Sequence, residues 1–361
     1  MHASTSSSGS ERYWAVVLAG GVGSRFWPVS TPARPKQLLP LAGDAPLIAD
    51  TIERTVPLIP LDRLRVLTGS ALVEPIRQAV PGLDDAHMLV EPVARSTAPV
   101  LAWAAHELVR RDPDAVMASL HADHVISPAD AFRAQLDRLM AFAAGHDALL
   151  TIGVRPDRPE TGYGYIRTGD AWAGQDAVHA VRSFVEKPDA ATAERYIAGG
   201  DYLWNTGIFV WRAAFFLEQV RRYTPELAAL LPLLDAGDIE GFFRQAPTLS
   251  VDVGLLERSD AVAVAPADFR WDDVGTWAAL ARSLDPDEAG NVHVGPAHAV
   301  DAARCVTWAD DERPVVLFGV RDLVVVRTAD VTLVLPRERA ADLKRLLAEL
   351  PPELRTLGDG G

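Results

Sequence analysis

Residues 15–41 read AVVLAGGVGSRFWPVSTPARPKQLLPL, an apolar run that breaks into Gly20, Gly21 and Gly23 and then into Arg25 and Lys36. Glycines directly after a strand let backbone N–H groups converge on a phosphate with no side chain in the way. Two familiar phosphate loops fail here on named residues. A dinucleotide fold needs a third glycine where Phe26 stands, and Pro28 follows where its helix should run. A Walker-type loop needs its lysine directly after a glycine, whereas Lys36 follows Pro35. What remains is a glycine loop with two separate cations brought to one side of a nucleoside triphosphate. Its competitor is a plain turn with a surface arginine and lysine, the usual place for such residues.

Outward from this loop, strand and helix patterns alternate. YWAVVLAG, RLRVLTG, AHMLVE, VMASLHAD and ALLTIGV are mostly apolar runs of strand length, as expected of strands buried on both faces. Between them lie amphipathic stretches such as LIADTIERTV, where Ile48, Ile52 and Val56 share one helical face, and PADAFRAQLDRLMAFAAG. The alternation predicts a three-layer αβα, Rossmann-like sandwich around a mixed, mainly parallel sheet, which binds ligands beyond the carboxyl ends of its strands. YGYIRTG, VRSFVEKP and GIFVWR read as further strands, followed by helical segments from about Ala213 to Glu257. LDPDEAGN, from Leu284, is rich in turn residues and marks a boundary. Beyond it, VVLFGV, LVVVRT and VTLVLP predict three strands before a charged helix near Arg337 to Leu350. The expected organisation is a flexible tail over 1–11, an α/β domain over 12–287 and a small β-rich domain over 288–361.

Composition narrows the function. With 48% hydrophobic and 23% charged residues the chain matches ordinary soluble domains, and no apolar run approaches the ~18 residues of a membrane span. MHASTSSSGSER has no apolar stretch of the kind a secretion signal needs, so a cytoplasmic location and no membrane partner are expected. The single cysteine, Cys305, excludes a disulfide framework and reads as a small buried apolar side chain. A formal net charge of −14 argues against nucleic acid as a partner, since phosphate backbones are bound by basic surface. An anionic ligand must therefore be attracted locally.

Residues 15–39 resemble the signature of the sugar-1-phosphate nucleotidyltransferases, and GGVGSRFWPVS followed by PKQ is most similar to the mannose-1-phosphate guanylyltransferases among them. Further segments resemble this family in its own order. They are EPVARSTAP (91–99), with Ser96 where the family has asparagine, and LHADHVI (120–126), with His121 where it has proline. GYGYI (162–166), FVEKP (184–188), WNTGIF (204–209) and WDDVGTW (271–277) follow, so that the resemblance touches most of residues 14–280. The β-rich end is similar to the small domain after the family's catalytic domain. No isomerase partner domain is expected within the 361 residues.

The resemblance implies attack by a sugar 1-phosphate oxygen on the α-phosphorus of GTP, with pyrophosphate leaving and GDP-mannose formed from α-D-mannose 1-phosphate. Two anions must then approach in line, so repulsion is the barrier the protein acts on. By the same resemblance Arg25 and Lys36 are the catalytic clamp, and Ala19, Gly20, Gly21, Gly23, Glu91, Arg95 and Thr97 contact the nucleotide. Asp123 and Asp273 would hold Mg²⁺, an ion suited to a few carboxylates plus substrate phosphates. Asp272 is adjacent to Asp273 and spacing does not separate them; the family pattern W-x-D-x-G selects Asp273. His121 and His124 flank Asp123, but a histidine metal site lacks a third clear ligand.

Gly164, Glu186, Lys187 and Asn205 are the implied sugar-phosphate contacts. Gly164 would admit a ligand to the backbone, Glu186 would accept from hydroxyls and Lys187 would meet the phosphate. Asn205 would both donate and accept. By residue type alone, Glu186 and Lys187 read equally as an exposed pair ending a strand, and Asn205 as a turn residue. Trp204, Trp271 and Trp277 suit a pocket wall or a core. A non-catalytic nucleotide-sugar binder would lack the cations or metal carboxylates present here, and a nicotinamide-dependent dehydrogenase would need the missing glycine. Other hexose or heptose 1-phosphates stay open as substrates, because spacing does not locate base or sugar contacts. Strand edges in the small domain suit pairing of two copies as a homodimer.

Overall fold

Alternate residues of the first strand enter different layers. In the computed structural model, which describes residues 10–21, 23–172 and 175–355, β1 (Tyr13–Leu18) is buried along nearly its whole length. Tyr13, Ala15 and Val17 join one apolar cluster, while Trp14 and Val16 join another on the opposite face. Both faces are covered because β1 lies between β2 (Leu64–Gly69) and β4 (Val116–His121), parallel to each. β3 (Met88–Glu91) extends this parallel run beyond β2. Four helices follow the pattern: α1 (Leu47–Thr55), α2 (Val73–Ala79), α3 (Thr97–Arg111) and α4 (Ala129–Gly145). Ile48, Ile52, Ile76, Phe132 and Leu136 bring α1, α2 and α4 onto the first face. Leu101, Ala105, Phe216 and Val220 bring α3 and the helix Ala213–Tyr223 onto the second, completing the three layers.

The sheet continues through β6 (Leu149–Val154), β7 (Gly164–Trp172), β8 (Gln175–Glu186), β9 (Tyr202–Arg212) and β10 (Val262–Pro266), in the order β3-β2-β1-β4-β9-β6-β10-β8-β7. It is mixed: β9 enters antiparallel to both β4 and β6, whereas β6 and β10 are parallel. Outside it, β5 (Val125–Ser127) and β11 (Arg270–Asp272) form an antiparallel ribbon in which Val125 faces Asp272. That pairing brings Asp123 and Asp273, distant in sequence, to one end of the ribbon. Among the described residues no helix is long and apolar enough to cross a membrane.

After Leu284 the chain winds into short coils. β12 (Val292–Val294), β13 (Ala297–Val300), β14 (Val306–Ala309), β15 (Val315–Phe318), β16 (Leu323–Arg327) and β17 (Thr332–Pro336) make up this region. β12, β14 and β16 stack in parallel with Val292, Val306 and Val324 in line, β13 stacks on β15, and β17 closes the stack antiparallel. Asn291 is 1% exposed and fully used: its amide donates to Asp287 and to Ala302 O, and its oxygen accepts from Cys305 N. Cys305 is buried, as expected. The sequence pattern shows only the last three strands of this region. The first three have three or four residues each, and Gly295, at φ +80°, turns the chain between two of them. The expected charged helix begins as a 3-10 turn, Arg337–Asp342, before Leu343–Glu349. Of the expected tail, residues 1–9 lie outside the described residues; Ser10–Arg12 is a 3-10 turn whose Ser10 O accepts from Arg63.

These coils pack on the loop with which the chain opens. Phe26, Trp27, Val29 and Leu39 share one buried cluster with Trp277 and with Val306, Trp308, Val324 and Leu343 of the C-terminal region. Trp277 stands edge-on to Phe26 and to Trp308, at centroid distances of 5.0 and 5.4 Å, and its Nε1 donates to Trp27 O at 3.0 Å. Truncating a buried aromatic of this kind costs about 3–5 kcal/mol. Trp308→Ala is therefore expected to lower the urea midpoint of unfolding and to lower turnover with it, since the loop loses its support. An unchanged midpoint would show that the coils do not brace the loop.

Candidate active site

Ala19 is the fixed point of the glycine loop. Its N–H donates to Leu67 O at 2.8 Å, and its carbonyl accepts from Gln37 Nε2 at 3.0 Å and Thr68 Oγ1 at 3.1 Å. Gly23 then turns at φ +67°, where a Cβ would lie 2.3 Å from Lys36 Cβ, so only glycine lets the loop pass over the lysine. Ala19, Gly20, Gly21 and Gly23 line a cavity of ≈ 330 Å³, together with Glu91, Ser96, Thr97, His121 and Asp123. The size suits a small organic ligand.

Glu91 ends β3 at the cavity wall. Burial raises its carboxyl above the ordinary value, partly offset by a backbone bond from Arg95. Arg95 itself does not face the cavity: Nε donates to Phe243 O at 2.8 Å and Nη2 to Arg244 O at 3.0 Å. Its guanidinium pins the loop rather than meeting a phosphate in this conformation. Ser96 adopts φ 67°, ψ −170°, a region that non-glycine residues rarely enter. Neighbouring bonds hold it there: Leu249 N to Arg95 O, Ala98 N to Leu249 O, and Val251 N to Thr97 Oγ1.

The charged centre lies beside this cavity. Lys36 is 5% exposed, and its Nζ donates to Asp123 Oδ2 at 2.8 Å and to Asp273 O. Burial alone would raise the Asp123 carboxyl, but Lys36 more than reverses this and holds it well below the usual carboxylate range. For Asp273 burial wins and the carboxyl is raised, although Lys36, Tyr163 and Arg25 oppose it. Asp273 Oδ1 accepts from the Tyr163 hydroxyl, whose own pKa is pushed up by burial and by Asp273. Tyr163 belongs to GYGYI, where glycine draws attention first, and its contact with Asp273 shows only in three dimensions. Asp123 Oδ1 and Asp273 Oδ2 have no hydrogen-bond partner among the described residues.

Geometry also separates the two adjacent aspartates. Asp272 accepts from Arg282 Nε at 2.7 Å and from Val274 N at 2.7 Å, so it latches the loop. Val274 is buried at φ 42°, an unusual conformation for a β-branched residue, and this turn presents Asp273 to Lys36. Asp123, His121 and His124 place candidate ligand atoms within 4.8 Å of one another. Burial pushes both imidazoles below their ordinary value, which leaves them neutral near pH 7. His124 Nδ1, however, accepts from Trp271 Nε1 at 3.1 Å, which places the neutral ring's proton on Nε2. The oxygen donors are thus the more available ligands.

A second polar cluster lies where β7, β8 and β9 meet. Gly164 pairs with Glu186 across the ladder, and a Cβ on it would come within 2.6 Å of Glu186 Oε2. Its missing side chain makes room for Glu186 rather than for a ligand. Lys187, at φ 50°, bonds its own neighbour Glu186 and is largely exposed. Asn205 Oδ1 is occupied by Thr151 Oγ1 at 2.9 Å and Gly207 N at 3.2 Å, and Nδ2 donates to Asp252 at 2.8 Å. Asn205 is thereby a donor only, not the donor and acceptor its residue type allows. Asp252 carries no motif signal in the segments above. Tyr163 packs edge-on against both Trp204 and Trp271 at 5.2 Å, walling this side, whereas Trp277 belongs to the brace.

The chain matches the Nucleotidyl transferase family over residues 14–289 and the MannoseP isomerase/GMP-like beta-helix domain over residues 295–350. It is 36% identical to the mannose-1-phosphate guanylyltransferase of Escherichia coli K12 over 360 residues, covering 95% of this chain and 74% of that protein. The Xanthan biosynthesis protein XanB of Xanthomonas campestris pv. campestris strain B100 is 36% identical over 347 residues, 93% of this chain and 72% of that one. A crystal structure from Thermus thermophilus, described as a mannose-1-phosphate geranyltransferase, superposes with a TM-score of 0.85 at 34% identity, covering 93% and 98% of the two chains. The chain belongs to the nucleotidyl transferase family, in the company of mannose-1-phosphate guanylyltransferases and with their kind of C-terminal β-helix domain.

Proposed function

We propose that this chain transfers a guanylyl group from GTP to α-D-mannose 1-phosphate. An oxygen of the sugar phosphate forms the new bond to the α-phosphorus, the bond to the β-phosphate oxygen breaks, and pyrophosphate leaves. The observation that carries this reading is the buried Lys36 ammonium held between Asp123 and Asp273 beside the glycine-loop cavity. A cation at that position meets the oxygens on which charge develops, and Arg25, close enough to oppose the raised Asp273 carboxyl, adds a second. The α/β unit over 12–287 would perform the reaction, and the coils over 288–361 would hold the loop.

The donor set fits a magnesium ion: two half-buried carboxylates each keep one oxygen without a protein partner among the described residues. Bound there, the ion would neutralise phosphate charge and align the reacting groups. Lys36 keeps the two acidic side chains from repelling each other, and Tyr163 fixes the orientation of Asp273.

Glu91 supports guanine. A half-buried carboxylate offers two acceptors, which match the N1–H and 2-amino donors of guanine, whereas adenine presents an acceptor at N1. Names carried by the relatives point the same way.

Four nucleoside triphosphates crossed with several sugar phosphates, scored for pyrophosphate release with and without a chelator, test the reading directly. GTP with mannose 1-phosphate should dominate and the chelator should abolish release; equal release across the matrix would refute the specificity. In the same assay Glu91→Gln should lose most of the preference for GTP over ITP, which lacks the 2-amino group, and a retained preference would move guanine recognition elsewhere. Lys36→Ala should lower turnover by about 10²–10³. It should also lower stability by about 1–3 kcal/mol, because Asp123 loses its partner in a partly buried site. Near-normal turnover would remove Lys36 from the mechanism.

A further inference from the structure

The sugar side of the site contains a carboxylate that the recognised motifs leave unassigned. Asp252 opens a single π-helical turn, Asp252–Leu256, a rare geometry that is frequent at functional sites. Its Oδ1 accepts from Asn205 Nδ2 at 2.8 Å, its own backbone N–H also approaches the carboxyl, no other described residue hydrogen-bonds Oδ2, and the residue is half-buried. Because Thr151 and Gly207 occupy Asn205 Oδ1, the asparagine presents only N–H to a ligand. Sugar hydroxyls need acceptors as well as donors, and on this side those acceptors are carboxylates: Glu186 and Asp252.

The segment carrying Asp252 is also fastened to the nucleotide cavity. Leu249 N donates to Arg95 O at 3.1 Å, Ala98 N to Leu249 O at 3.0 Å, and Val251 N to Thr97 Oγ1 at 2.8 Å. Thr97 and Ser96 line the cavity. One stretch of backbone therefore frames both substrate positions.

We propose that Asp252 is a specificity-determining contact for the acceptor sugar: Oδ2 accepts from one hydroxyl while Oδ1 orients the Asn205 amide as donor to a neighbouring one. The proposal rests on the reading of this site as a sugar 1-phosphate site. Burial, with Glu186 beside it, raises the Asp252 carboxyl to about 6. Glu186 and Lys187 face it from the end of β8 and Asn205 from β9, while α3 and the helix Ala213–Tyr223 pack on the turn through apolar side chains. Ionised, Oδ2 accepts; protonated, it donates. Acceptor binding is thus complete above that value and weakens as pH falls through it.

The test is calorimetric titration of mannose 1-phosphate and, separately, GTP with magnesium onto the full chain, the Asp252→Asn variant and the Asp252→Ala variant, with KM and kcat measured alongside. Asp252→Asn keeps shape and the bond from Asn205 but replaces the free acceptor with a donor, so it remains informative if the alanine variant fails to fold. Expected is a loss of mannose 1-phosphate affinity of about ten- to a hundredfold. GTP affinity should stay within about twofold, and KM should rise more than kcat falls. The phosphate monoester has its own ionisation near 6. The pH readout is therefore the difference between parent and Asp252→Asn, which should lose the part of the dependence due to the carboxyl. Unchanged acceptor affinity, or equal loss for both substrates, overturns the assignment of Asp252 while leaving guanylyl transfer standing. A parent chain that binds neither substrate overturns the underlying reading instead.

Discussion

Charge held away from water organises this site. Two carboxylates about 4 Å apart repel by about 4 kcal/mol at an effective dielectric of 20. Here one buried ammonium, Lys36, donates to the Asp123 carboxylate and to the backbone carbonyl of Asp273, and its charge favours the ionised form of both side chains. Much of the local structure serves to set that ammonium in place. Gly23 lets the loop cross over it, the β5–β11 ribbon brings the two acids together, and the Asp272 to Arg282 latch turns Asp273 inward.

The opening loop has two chemically different faces, and this explains the second domain. Gly20, Gly21 and Gly23 look into the cavity, whereas Phe26 and Trp27 turn into the apolar cluster shared with the C-terminal coils. A glycine-rich loop has high conformational freedom, and burying its aromatic side against Trp277 and Trp308 limits that freedom. The coils thus pack against the loop, and among the described residues none of their side chains lines the cavity.

How much of this is legible in the sequence varies with the range of the interaction. Buried strands such as YWAVVLAG declare themselves because both faces are apolar, and the loop residues lie close together in sequence. Asp123 and Asp273 are identified by resemblance, and the choice of Asp273 over Asp272 becomes physical only when Arg282 is seen to claim Asp272. Tyr163 and Asp252 stay hidden because their partners, Asp273 and Asn205, are remote in sequence and neither residue type announces a role. Arg95 is expected by resemblance to contact the nucleotide, yet here its guanidinium serves two backbone carbonyls. In the C-terminal coils, β15 shows itself because VVLFGV is a continuous apolar run, whereas β12 to β14 are short and carry polar residues such as His293, His298 and Thr307, so they emerge only from their stacking.

On the proposed reading, Asp123 and Asp273 together receive a divalent ion when nucleotide is present. Electron paramagnetic resonance of Mn²⁺, titrated onto the full chain with and without GTP, measures this directly. Shared binding predicts a nucleotide-dependent bound-manganese signal that both Asp123→Asn and Asp273→Asn lose. The same signal and affinity in either variant would contradict it.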